Sequence, residues 1–144
     1  MEITVLTNVC ACTLSPTNAS YGVDGGSGII SVTTSTTNCV WAPQCAADWV
    51  TITSAAYGTG PGTVSYLVAA NCDASSRTAT LTVNDQNFTI TQAGVTISPT
   101  STYFDANGGF DSVQVTAGTN CSWVATSPVD WITITSTNGT GSGS

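Results

Sequence analysis

The 144 residues carry eight acidic side chains against one cation, Arg77, with no lysine or histidine, so the net charge is −7. Such a surface can neither neutralise phosphates nor adhere to an anionic bilayer, which excludes nucleic acid and negatively charged membranes as partners. Without His or Lys the chain also lacks the parts of a Ser-His-Asp, Cys-His, Ser-Lys or Schiff-base catalyst.

The first apolar run in chain order is Glu2–Thr7, with Ile3 and Val5 on one side. Its start has neither the basic residues nor the apolar stretch of a signal peptide. No segment reaches membrane-spanning length, so membrane insertion is not expected and an export signal is expected outside this sequence. Seven strands are predicted next: Cys10–Leu14, Ile29–Thr34, Cys39–Ala42, Val50–Thr53, Val64–Val68, Thr78–Val83 and Phe88–Thr91. Turn residues separate them, as in Asp24-Gly25-Gly26, Gly60-Pro61-Gly62 and Asn84-Asp85. The polar residue between apolar ones is usually Thr, whose β-branched side chain suits a pleated surface. Alternation gives Val64, Tyr66 and Val68 one face, as it does Ala79, Leu81 and Val83, and then Phe88 and Ile90. Nothing has helical period. Short antiparallel strands over about 85 residues predict an all-β, immunoglobulin-like antiparallel β-sandwich.

The chain then repeats itself. Cys12-Thr13-Leu14-Ser15-Pro16-Thr17 returns as Val95-Thr96-Ile97-Ser98-Pro99-Thr100, and Gly25-Gly26 as Gly108-Gly109, both at an offset of 83. Asn38-Cys39-Val40-Trp41 returns as Asn120-Cys121-Ser122-Trp123, and Asp48-Trp49-Val50-Thr51-Ile52-Thr53 as Asp130-Trp131-Ile132-Thr133-Ile134-Thr135. A period this long marks tandem domains rather than a solenoid. Residues 1–9 are expected to be a strand closing a preceding repeat or donated to another chain, 10–94 a complete repeat, and 95–144 about half of a second. In that half, Val113, Val115, Trp123, Ile132 and Ile134 should face a core without an opposite wall.

The six cysteines fit neither CxxC pairs nor Cys/His clusters, so disulfides in an oxidising compartment are the expectation and their connectivity stays open. In order, Leu14-Ser15-Pro16, Gly25-Gly26, Cys39-Val40-Trp41, Trp49-Val50-Thr51-Ile52, Gly60-Pro61-Gly62-Thr63-Val64, Ala69-Ala70-Asn71, Arg77 ahead of Leu81-Thr82-Val83, and Phe88-Thr89-Ile90-Thr91-Gln92 resemble the BACON domains. These are bacterial immunoglobulin-related sandwiches named for a carbohydrate-binding role. The resemblance spans 10–94 fully and 95–144 in part, and rests on the order of the motifs. It implies a Cys10–Cys39 bridge. The second repeat has Ala93 in place of Cys10, leaving Cys121 without that partner. Cys45–Cys72 is the expected second pair, with Cys12 and Cys121 left to bridge subunits.

Other candidates are weaker. Trp41 and Trp123 share a strand face with a cysteine and are expected in the core. Trp49 and Trp131, with Tyr57, are candidates for stacking on a sugar ring. Asn18, Asn87, Asn120 and Asn138 open glycosylation sequons. Asp105–Asp111 has oxygen ligands at calcium-like spacing but lacks the distal Glu, so no metal site, cofactor or catalytic residue is expected. The functional expectation is a non-catalytic structural repeat of an extracellular or cell-surface filament or adhesin stalk, assembled head to tail with copies of itself. The alternative is a carbohydrate-binding module.

Overall fold

The computed structural model describes residues 10–144; the expected donor strand with Ile3 and Val5 lies outside the described residues. Among the described residues no helix forms, and 14 short strands follow one another. The first repeat holds β1 (Cys12–Ser15), β2 (Asn18–Tyr21), β3 (Gly26–Thr34), β4 (Val40–Trp41), β5 (Pro43–Cys45), β6 (Val50–Ile52), β7 (Gly58–Thr59), β8 (Gly62–Val68), β9 (Arg77–Val83) and β10 (Gln86–Gln92). Two four-stranded sheets result, ordered β1-β3-β8-β6 and β2-β10-β9-β5, with β4-β7 as a separate ribbon. The fold is all-β, with the sheets of a β-sandwich.

The longest strands show why. In β8, β9 and β10 every second side chain is buried, giving Val64, Tyr66 and Val68, then Ala79, Leu81 and Val83, then Phe88 and Ile90. These are the alternating faces read from the sequence. Tyr66 and Phe88 meet with ring centroids 5.5 Å apart and planes at 59°, a tilted aromatic pair. Asn84 turns the chain from β9 to β10 with a positive φ of 51°, which Asn tolerates.

Three strands escaped the sequence reading. β2, Asn-Ala-Ser-Tyr, has no large aliphatic residue, and β5 opens with Pro43, which is tolerated at the first residue of a strand. β7 lies inside a glycine-rich turn and pairs with β4.

The second repeat contributes β11 (Thr96–Ser98), β12 (Gln114–Thr116), β13 (Ser122–Val124) and β14 (Asn138–Thr140). Pairing of β11 with β12 places Ile97 opposite Val115, as β1 and β3 place Leu14 opposite Val32. The counterpart of β6, residues 132–134, is not a strand. In the first repeat β6 hydrogen-bonds to β8, whereas 131–135 joins no sheet among the described residues. A single rung, Val115 N–H to Gly143 O at 2.7 Å and Gly143 N–H to Val115 O at 3.0 Å, forms an isolated bridge at the places that Val32 of β3 and Gly62 of β8 hold in the first repeat. Val113 and Ile132 are exposed, whereas Val115, Trp123 and Ile134 are half-buried.

By contacts the chain forms two compact units. Residues 10–19, Ser27–Leu67 and Ala79–Ile90 make one; Ser20–Gly26, Val68–Thr78 and Thr91–Ser144 make the other.

Candidate functional site

Each repeat builds the same nest around a tryptophan. Trp41 donates its indole N–H to Gly60 O at 2.7 Å, and Trp123 donates to Gly141 O at 2.8 Å. Gly60 and Gly141 both have positive φ, 67° and 75°, and return their own N–H groups to Cys39 O and Cys121 O. A Cβ on Gly58 would overlap the Trp41 ring, and one on Gly139 would overlap Trp123. The Gly-x-Gly-x-Gly spacing at 58–62 and 139–143 therefore lets one hairpin lie flat on the indole. In the complete repeat the ring is buried, as expected; in the second it is half-buried.

The sulfurs sort into two disulfides and two thiols. Cys10 is bonded to Cys39, and Cys72 to Cys121, while Cys12 and Cys45 remain thiols. The expected Cys45–Cys72 pair does not form. Cys45 is fixed on β5 opposite Leu81, whereas Cys72 lies in the loop after β8, where Cys121 reaches it. Cys121 is presented by a tight turn in which its N–H bonds Gly118 O at 2.8 Å and Thr119 N–H bonds Asp24 Oδ1 at 2.7 Å. Cys12 and Cys121 are likewise not surface residues waiting to bridge subunits. Cys121 is committed to Cys72, and Cys12 is buried beside Cys39 with its Sγ 3.9 Å from that sulfur.

A buried polar knot was missed by the sequence reading. Gln92 is 1% exposed; its amide donates to Gly22 O, Val23 O and Ala69 O, and its oxygen accepts from Arg77 Nε at 2.9 Å. Arg77 also donates to Ala69 O and Ala70 O. Asn71, fully buried, donates to Ser75 O and Ala93 O and accepts from Asp73 N–H. The signal was present: Gln92 continues the inward series Phe88, Ile90, and a polar residue on a core face must find partners.

Trp49 is half-buried and precedes β6, Tyr57 is 70% exposed on the loop before β7, and Trp131 is 79% exposed. Asn18, Asn87, Asn120 and Asn138 are all exposed. In the acidic loop, Asp105 Oδ1 accepts the Asn107 N–H, and Asp111 accepts from the Thr102 hydroxyl at 2.6 Å and the Ser112 N–H at 2.8 Å. Those bonds, the Thr102 hydroxyl first, hold the Asp111 carboxyl below its ordinary range.

Comparison with known proteins gives two family matches. Residues 40–93 match the BACON model, described as "Putative binding domain, N-terminal", and residues 94–144 match the viral BACON domain model. No curated protein matches. Among solved structures, a Bacteroides ovatus GH5 xyloglucanase in complex with a XXXG heptasaccharide is similar at 20% identity and a TM-score of 0.51. The match covers 58% of this chain and 19% of that one, and at this identity it shows the fold alone.

Proposed function

Because the chain belongs to the BACON family, we propose that it acts by association rather than catalysis, as a structural repeat of an extracellular or cell-surface filament or adhesin stalk. In this reading residues 10–94 are one full repeat and 95–144 the opening half of the next. The observation that carries it is the Cys72–Cys121 bond, a covalent tie from the first repeat to the second that is built into a tandem sequence. Two disulfides support an oxidising, extracellular setting. No helix among the described residues is long and apolar enough to cross a membrane.

Head-to-tail assembly with copies of the chain completes this reading. Ile97, Val113 and Ile132 stand exposed where the first repeat buries Leu14, Ile30 and Val50 at the corresponding places. Residues 2–7 precede the first repeat much as Asn87–Gln92 precedes the second, with Val5 matching Phe88, and so carry the pattern that would add a strand to such an edge. Negative-stain electron microscopy and sedimentation of the intact chain and of a variant lacking residues 1–8 test it. Filaments that shorten or dissolve in the deletion variant are expected; particles that stay monomeric at every concentration, or filaments indifferent to the deletion, overturn it.

Carbohydrate binding is the second reading, supported by the family description and by exposed Tyr57. Glycan-array binding lost on Tyr57→Ala or Trp49→Ala, with folding intact, would favour it over the stalk.

A further inference from the structure

The first repeat holds a third sulfur against its disulfide. The Sγ atoms of Cys10, Cys12 and Cys39 all lie within 4.8 Å of one another, and Cys12 Sγ is 3.9 Å from Cys39 Sγ. Cys12 and Cys39 are buried, at 6% and 3% exposure, while Cys10 is more open and precedes β1. β-pairing opposite Thr34 fixes Cys12, and Asn84 Nδ2 donates to its Sγ at 3.6 Å and to Val40 O at 3.2 Å. The fold does not require a thiol at this place. The second repeat has Val95 in place of Cys12 and Ala93 in place of Cys10.

We propose that these three cysteines form a thiol–disulfide exchange site in which Cys12 displaces Cys10 from Cys39. The Cys12 thiolate attacks Cys39 Sγ, the Cys12–Cys39 bond forms, and the Cys10–Cys39 bond breaks. Cys10 leaves as the thiolate and takes up the proton that Cys12 gave up. One disulfide is exchanged for another, so no oxidant or reductant is consumed. Val40 O, 3.7 Å from Cys10 Sγ, is already placed to accept from the displaced thiol. The exchange moves the reactive thiol from Cys12, buried at the base of a shallow cleft, to the more open Cys10 in the same cleft, beside Ala11, Asn84, Asp85 and Gln86. There it can bond a small disulfide or an electrophile that the buried Cys12 excludes.

Two experiments test the site. In C10A, air-oxidised and peptide-mapped without reduction, a Cys12–Cys39 bond is expected; a folded C10A in which both cysteines alkylate overturns the proposal. The intact chain, held folded at pH 8 with N-ethylmaleimide, should accumulate label at Cys10 together with a Cys12–Cys39 linked peptide. C12V should abolish the Cys10 label while Cys45 is still modified. Label at Cys12 alone, or none at Cys10 after prolonged incubation, overturns the exchange even if C10A does not fold.

Discussion

Trp41 and Trp123 each occupy a space that glycines leave open, so the indole and the hairpin specify one another. A methyl group on Gly58 or Gly139 has nowhere to go but into the ring. Gly58→Ala should therefore destabilise the complete repeat by about 1–3 kcal/mol through overpacking, read as a lower denaturation midpoint with a shift in tryptophan emission. The inward placement of Trp41 was legible from its spacing to Cys39. Its glycine partners were not, because a Gly-Pro-Gly segment reads as a turn whatever lies beneath it. Asp111 offers a second residue-scale test. The bonds from Thr102 and Ser112 stabilise its charged form, so that stabilisation is complete above the ordinary value of 3.8 and is lost as pH falls below it toward the depressed folded value. Thr102→Ala should raise the folded value toward 3.8, measured by NMR titration of the carboxyl.

At the scale of the strand, β10 ends on the one side chain that breaks its apolar series. Gln92→Leu would keep the β register but take the acceptor from Arg77 Nε and remove one of the two donors that reach each of the Gly22, Val23 and Ala69 carbonyls. Loss of the hydrogen bond to the charged Arg77 donor should cost about 1–3 kcal/mol, as chemical denaturation would report. Strands with strict alternation, such as β8 and β9, were legible because burial of one face dictates period 2. β2, β5 and β7 were not, since their residues carry no apolar signal and they form only because a neighbouring strand offers its edge. The same dependence explains Trp131–Thr135, which repeats the sequence of a strand yet is not one. Strand character there resides in the pair, not in the segment.

For the whole molecule, the tandem organisation could be read from four recurring landmarks, whereas the disulfide pattern could be read only in part. Cys10–Cys39 came from likeness to a family, and Cys72–Cys121 departs from any pattern confined to one repeat. In the loop-entropy account a bridge with a sequence separation of 49 contributes about 4 kcal/mol, so C72A/C121A should lower the unfolding temperature by several degrees in calorimetry. The same bond has a mechanical consequence. A chain pulled from its ends can lengthen only along residues that no covalent short-cut bypasses. The 49-residue separation between Cys72 and Cys121 is such a short-cut, withholding about 170 Å of contour length at the reach of an extended backbone. Force spectroscopy should find that length missing under oxidising conditions and restored by reductant, so the bond would act as a stop that caps how far the chain can be drawn out before it breaks.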